Sequence, residues 1–104
     1  MVTKMLVTCN GEPGTRMDRA YYANTHIPLA MTLWGPYGLE EAAAFFPADN
    51  GNGVLSIGIY RFRDTAAMEA ALAAPETARI MADVKNFTDS TIIERSIWAP
   101  MATT

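Results

Sequence analysis

The sequence predicts an α+β domain of the ferredoxin-like kind: a βαββαβ chain folded into an antiparallel four-stranded sheet with both helices on one face. Two such sheets packed face to face make a dimeric α+β barrel. Three observations lead there. Segments rich in β-forming residues open and close the chain, at residues 2–9 and 91–98. Stretches of helical period, 17–34 and 64–85, each lie between strands. Finally, "VLSIGIYRFR" (54–63) is apolar on both faces, with Leu55, Ile57 and Ile59 on one and Val54, Tyr60 and Phe62 on the other. A strand of that kind is covered on both sides, and one protomer supplies helices for only one of them. The second face is therefore expected to bind another copy of the chain.

The elements follow in order. "VTKMLVTC" (2–9) is a short β-rich run stopped by the turn signal "NGEPG". From residue 17 the period changes: Tyr22, His26, Leu29 and Leu33 recur at helical spacing, with Met17, Tyr21, Asn24 and Pro28 on the adjacent stripe. Pro28 lacks an N–H and crowds the carbonyl of Asn24, so a kink or break is expected near His26. "WGPYG" (34–38) ends the helix. "LEEAAAFF" (39–46) is ambiguous, since Glu and Ala favour helix while its length and flanking breakers suit a strand. Topology decides for a strand, because the split βαβ pattern needs one there. "PADNGNG" is a polar turn into strand 54–63. "DTAAMEAALAAPETARIMADVK" (64–85) reads as helix, with Asp64 or Thr65 as N-cap and a pause at Pro75. "NFTDS" is a loop, and "TIIERSIW" is the last strand, with Ile93 and Ile97 facing one way and Ile92 and Trp98 the other. Residues 99–104 read as a tail.

Size and composition narrow the function. At 104 residues, half of them hydrophobic, the chain makes a single domain over residues 1–104 with one core. The eight basic residues are scattered and the formal net charge is −3, so nucleic acid is not an expected partner. The lone cysteine, Cys9, points to a reducing compartment, and the N-terminus carries neither a long apolar signal segment nor a membrane span; the expectation is a soluble cytoplasmic protein with no membrane partner. One His and one Cys do not make a zinc site, no acidic cluster has calcium or magnesium spacing, and "GNG" precedes a strand rather than following one. No metal and no cofactor are expected.

Two motifs give the chain a resemblance. "YYANTHIPLAMTLWG" resembles the Tyr-Tyr-x-x-x-His-x-Pro-Leu helix of EthD-domain proteins, and "DVKNFTDS" resembles their Asp-x-x-x-Phe-x-Asp loop before the last strand. The likeness extends over nearly the whole chain in length and element order. The family takes its name from ethyl tert-butyl ether degradation. The resemblance implies a small homodimer with the dimeric α+β barrel fold, related to antibiotic-biosynthesis monooxygenases and muconolactone isomerases. It implies an oxidoreductase-type activity, or the dehydratase or decarboxylase activities of some fungal relatives. "EEAAAFF" departs from the pattern in being poor in β-branched residues.

In related barrels the small-molecule pocket lies inside each protomer, between helices and sheet, and a bent first helix would open one here. His26, the only histidine, is then the general acid/base candidate. Tyr22, one turn before it, would orient the ring or a substrate oxygen. Asn24, Leu29, Leu33, Trp34, Tyr60, Phe62 and Phe87 are the candidate substrate contacts; Thr25 and Asp89 are weaker polar ones. Against this stands the plainer reading that His26 caps a broken helix and the aromatics are core. Glu40 and Glu41, adjacent on a strand, are expected to face opposite ways. The leading reading is a cofactor-independent enzyme acting on an apolar, carbonyl-bearing or aromatic compound. The rival is a non-catalytic binding or accessory protein for a hydrophobic metabolite, and a third is a purely structural dimer.

Overall fold

The computed structural model describes residues 1–100, so the last four positions of the expected tail lie outside the described residues. Strand β1 (Thr3–Asn10) leads to a helical segment built in three parts: α1 (Arg19–Tyr21), a π-turn (Tyr22–His26) and α2 (Ile27–Trp34). Then come β2 (Leu39–Phe45), β3 (Val54–Phe62), α3 (Thr65–Ala73), α4 (Thr77–Ala82) and β4 (Ile92–Trp98). The sheet is antiparallel throughout, in the order β2-β3-β1-β4, with the helices on one face. This is the ferredoxin-like βαββαβ fold. Among the described residues no helix is long and apolar enough to cross a membrane.

Register sets the two faces. Met5, Val7 and Cys9 of β1 lie opposite Tyr60, Gly58 and Ser56 of β3, and opposite Ile97, Arg95 and Ile93 of β4; all of these point toward the helices. Phe62 and Ala71 are fully buried between sheet and helix, and Met5 and Trp34 nearly so. Burial of a side chain such as Phe62 or Met5 contributes about 1.5–3 kcal/mol. Ala42 and Ala44 bring only methyl groups to this face of β2, where α2 packs. The opposite face carries Leu6, Ile57, Ile59, Phe45, Ile92 and Trp98, and no helix covers it.

The helical segment begins later than the period suggested. Asp18 is its N-cap, accepting from the Tyr21 N–H at 3.0 Å, while Met17 sits in an isolated bridge with Thr88. Pro28 produces a wider turn rather than a break: the Ile27 N–H bonds back to the Tyr22 carbonyl, five residues away, with helical backbone angles on both sides. A widened turn before the proline relieves the clash its ring would make in a tight one. Gly38, at φ 108°, ends the segment in a conformation open to glycine. A second difference lies in β2, where a bulge between Leu39 and Glu41 adds one residue. Glu40 and Glu41 therefore both reach Arg61, at 3.7 and 3.8 Å, instead of facing opposite ways.

Candidate functional site

The loop after α4 is tied to the start of the first helical segment. The Asp18 N–H donates to the Phe87 carbonyl at 2.7 Å, the Thr88 hydroxyl to the Arg16 carbonyl at 2.8 Å, and Arg16 Nη2 to Asp89 at 3.0 Å and to the Lys85 carbonyl at 2.6 Å. These bonds bring Asp83 against the π-turn. His26 Nδ1 lies 2.9 Å from Asp83 Oδ2, with the imidazole buried and the carboxylate nearly so. The other carboxylate oxygen, Oδ1, accepts from the Tyr21 hydroxyl at 2.6 Å and from Asn86 Nδ2 at 2.9 Å.

The widened turn makes this convergence possible. In a regular α-helix, residues five apart diverge by about 140° around the axis, so Tyr21 and His26 would point to different sides. A turn closed by bonds to the fifth residue brings both onto the side facing Asp83. Tyr22 and His26, four apart, also stay together: their rings meet edge to face with centroids 5.5 Å apart. Phe87 closes against both, at 4.4 Å from Tyr22 and 4.7 Å from His26.

Charge follows from these contacts. Partial burial acts to raise the Asp83 pKa, but the hydrogen bonds from Tyr21, Asn86 and His26 outweigh it and hold the carboxyl below its ordinary value. Asp83 is thus an acceptor only, so the proton shared with His26 resides on Nδ1, and Nε2 is the ring nitrogen left to exchange a proton. The bond to Asp83 also pushes up the pKa of the Tyr21 hydroxyl, and burial adds to that. Burial raises Tyr22 far above its ordinary value and pushes Tyr60 up to about 12; both phenols are neutral near pH 7.

His26 lines a cavity of about 580 Å³ between helices and sheet, against the uncovered edge at β4. Asp83 stands on the other side of the ring and lines a separate outer groove of about 510 Å³. The pair forms part of the wall between the two. Tyr22, Trp34, Tyr60 and Phe87 line the same cavity as His26, together with Met5, Val7 and Cys9 of β1. Trp34 is held by its indole N–H, which donates to Thr77 Oγ1 at 2.8 Å. The other expected contacts lie elsewhere. Phe62 is sealed in the core beneath Trp34, Leu33 packs against that core, Leu29 lines the outer groove, and Asn24 is exposed. Thr25 also faces the outer groove, and Asp89 pairs with Arg16. Sequence reasoning missed Asp83, Tyr21 and Asn86 as parts of the site. A signal existed, since Asp83 opens the "DVKNFTDS" motif. Among the described residues no three His, Cys, Asp or Glu side chains come together as a metal-ligand group.

The EthD domain model matches residues 16–91, which contain the π-turn, Asp83 and the loop that follows it. An EthD-like protein from Ralstonia eutropha is similar in structure, with 21% identity, 91% of this chain and 89% of that one covered, and a TM-score of 0.73. SnoaB, a cofactor-independent oxygenase from Streptomyces nogalater, in a mutant form, is 15% identical, with 98% and 94% covered and a TM-score of 0.65. A dimeric ferredoxin-like protein of unknown function from Jannaschia sp. is 18% identical, with 96% and 100% covered and a TM-score of 0.61. No curated protein matches the sequence.

Proposed function

The chain belongs to the EthD-domain family, and we propose that it is a small cofactor-independent enzyme in which His26 moves protons on an apolar, carbonyl-bearing or aromatic molecule held in the cavity. The observation that carries this is the 2.9 Å bond from His26 Nδ1 to Asp83, on a residue that also lines the cavity. With Nδ1–H donated to a carboxylate, Nε2 is the basic atom. It takes a proton from a carbon next to a carbonyl, or from a phenol. The imidazolium so formed is stabilised by the Asp83 charge and returns the proton to the enolate or phenolate. Tyr22 and Phe87 fix the ring plane. Enolisation, dehydration and oxygenation of an activated phenol begin with such a proton abstraction, and decarboxylation ends with the return of a proton to carbon; the last needs the base already protonated. The structural likeness to a cofactor-independent oxygenase keeps oxygenation among them.

The site sits in a protomer whose free sheet face supports pairing with a second copy. Phe45, Ile92 and Trp98 are 54%, 55% and 58% exposed on that face, around the apolar centre formed by Leu6, Ile57 and Ile59. A second sheet laid on it would bury these side chains, as expected of a homodimer. The dimeric Jannaschia protein has the same fold.

Hydrogen–deuterium exchange tests the acid/base role without knowledge of the substrate. The wild-type protein in deuterium oxide is expected to exchange the α-protons of 2-tetralone, an apolar aryl ketone, faster than buffer. His26→Gln is expected to lose that exchange by about 10²- to 10⁴-fold while binding the ketone within about twofold of wild type. Equal exchange rates in the two proteins overturn the role.

A further inference from the structure

The rim of the cavity carries a charge that the proton-transfer reading does not use. Strand β4 turns Ile93, Arg95 and Ile97 toward the helices, opposite Cys9, Val7 and Met5, and turns Glu94 the other way. Arg95 is thus an exposed cation set in an apolar stripe at the open edge of the sheet, where its side chain borders the cavity mouth. It lines the cavity with Val7, Val84 and Phe87, and among the described residues no Asp or Glu lines that cavity with it. Among the described residues no ion pair includes Arg95. Asp83, the carboxylate beside His26, faces the outer groove instead.

We propose that the cavity takes an apolar or aromatic molecule bearing a carboxylate, with Arg95 as the residue that binds the carboxylate at the rim. The proposal rests on the small-molecule reading above and narrows its substrate class. A solvated arginine needs no partner on an open surface, where ion pairs contribute little. The situation differs at an apolar opening, because low-dielectric walls focus the field of the one charge they hold. The guanidinium fork matches a carboxylate in two parallel hydrogen bonds. The formal net charge of the chain is −3, so attraction of an anion to this spot is a local property and not a general one. Carboxylate binding at the rim would leave the apolar body of the ligand to extend inward along Met5, Trp34 and Tyr60 toward His26.

The two tryptophans serve as reporters, since Trp34 lines the cavity and Trp98 lies on the opposite sheet face. The experiment titrates the protein with 2-naphthoate and with its neutral counterpart 2-naphthamide, and follows the two indole N–H signals by NMR, assigned with Trp98→Phe. The expected result is a Trp34 shift, with naphthoate bound about tenfold more tightly than the amide. Arg95→Gln should remove that preference and leave amide binding within about twofold, and Arg95→Lys should restore it in part. Equal affinity of wild type for both probes overturns the proposal. So does equal weakening of both by Arg95→Gln, or a naphthoate response at Trp98 without one at Trp34. His26→Gln is expected to keep naphthoate affinity, so failure of the acid/base role and failure of the Arg95 role give different results.

Discussion

Replacing Asp83 by Asn tests the tautomer on which the site depends. The side chain keeps its shape but loses its charge and half of its acceptor capacity. In the native protein Oδ1 accepts from Tyr21 at 2.6 Å and Asn86 at 2.9 Å, and Oδ2 accepts from His26 Nδ1 at 2.9 Å. In the variant the amide oxygen keeps the position that faces two donors, which puts the NH₂ group opposite Nδ1. Nδ1 must then accept, and the ring proton moves to Nε2. A hydrogen bond to a charged group contributes about 1.5–3 kcal/mol and a neutral one about 0.5–1.5 kcal/mol, so converting three costs roughly 3 kcal/mol. For a domain of this size that lowers Tm by about 10 °C or more at fixed protein concentration. Any proton-transfer activity should fall by about 10²- to 10⁴-fold. The pH dependence follows from the same carboxylate. Its pKa is lowered in the folded protein from 3.8, so its contribution to stability is whole above that value and is lost as pH falls through the lowered one. In Asp83→Asn this loss is absent and the acid end of the stability profile is flatter. The assays are ¹⁵N NMR of the imidazole in alkaline solution and thermal unfolding across acid pH. A variant that keeps its proton on Nδ1, or unfolds like wild type at neutral and acid pH, refutes the reasoning.

Two further substitutions probe the surroundings. At Gly58 an added methyl would overlap the Tyr22 hydroxyl and lie 2.9 Å from Tyr60 Cε2, so Gly58→Ala is expected to destabilise by about 1–3 kcal/mol in chemical denaturation; wild-type stability would show that Tyr22 does not press on β3 there. Ile59→Asp places a charge at the middle of the free sheet face, between Leu6 and Ala43, and should turn a dimer into a monomer in sedimentation velocity without loss of helical circular dichroism; a wild-type protein that already sediments as a monomer at micromolar concentration ends the pairing argument.

The fold was legible because its signals are those of backbone period and of turns. β3 shows apolar residues on two faces, and the structure uses both, one against the helices and one left free. Asp64 reads as a cap and is one, accepting from the Ala67 N–H at 2.7 Å. Strand β2 was legible only through topology, and its composition shows why. Ala42 and Ala44 face α2, where a β-branched side chain would hold the helix away from the sheet, so packing removed the residues by which a strand is ordinarily recognised. The bulge at Glu40 has no such signature, and a one-residue insertion reverses the facing of every position before it. That is how two adjacent glutamates came to share one arginine.

The site was legible only as far as a regular helix could show it. A period of 3.6 residues joins Tyr22 to His26 and separates Tyr21 from both, which makes Tyr22 the natural partner of the imidazole. The structure gives the two tyrosines different work. Tyr22 packs its ring on His26 and sets its hydroxyl against Gly58 of β3, whereas Tyr21 supplies the hydrogen bond that holds Asp83. The exchange stems from Pro28, which was read correctly as a disturbance but not as a change of register. A kink would have opened space beside the helix; a widened turn instead alters which residues share a side of it. The carboxylate was hidden for a separate reason. Asp83 lies 57 residues after His26, and it is the hydrogen bonds tying Arg16 and Asp18 to the loop that follows α4 that bring the two together. A histidine near a proline, considered alone, is as compatible with a cap as with a base. The acceptor on its Nδ1 is what distinguishes the two, and that acceptor is a product of tertiary structure.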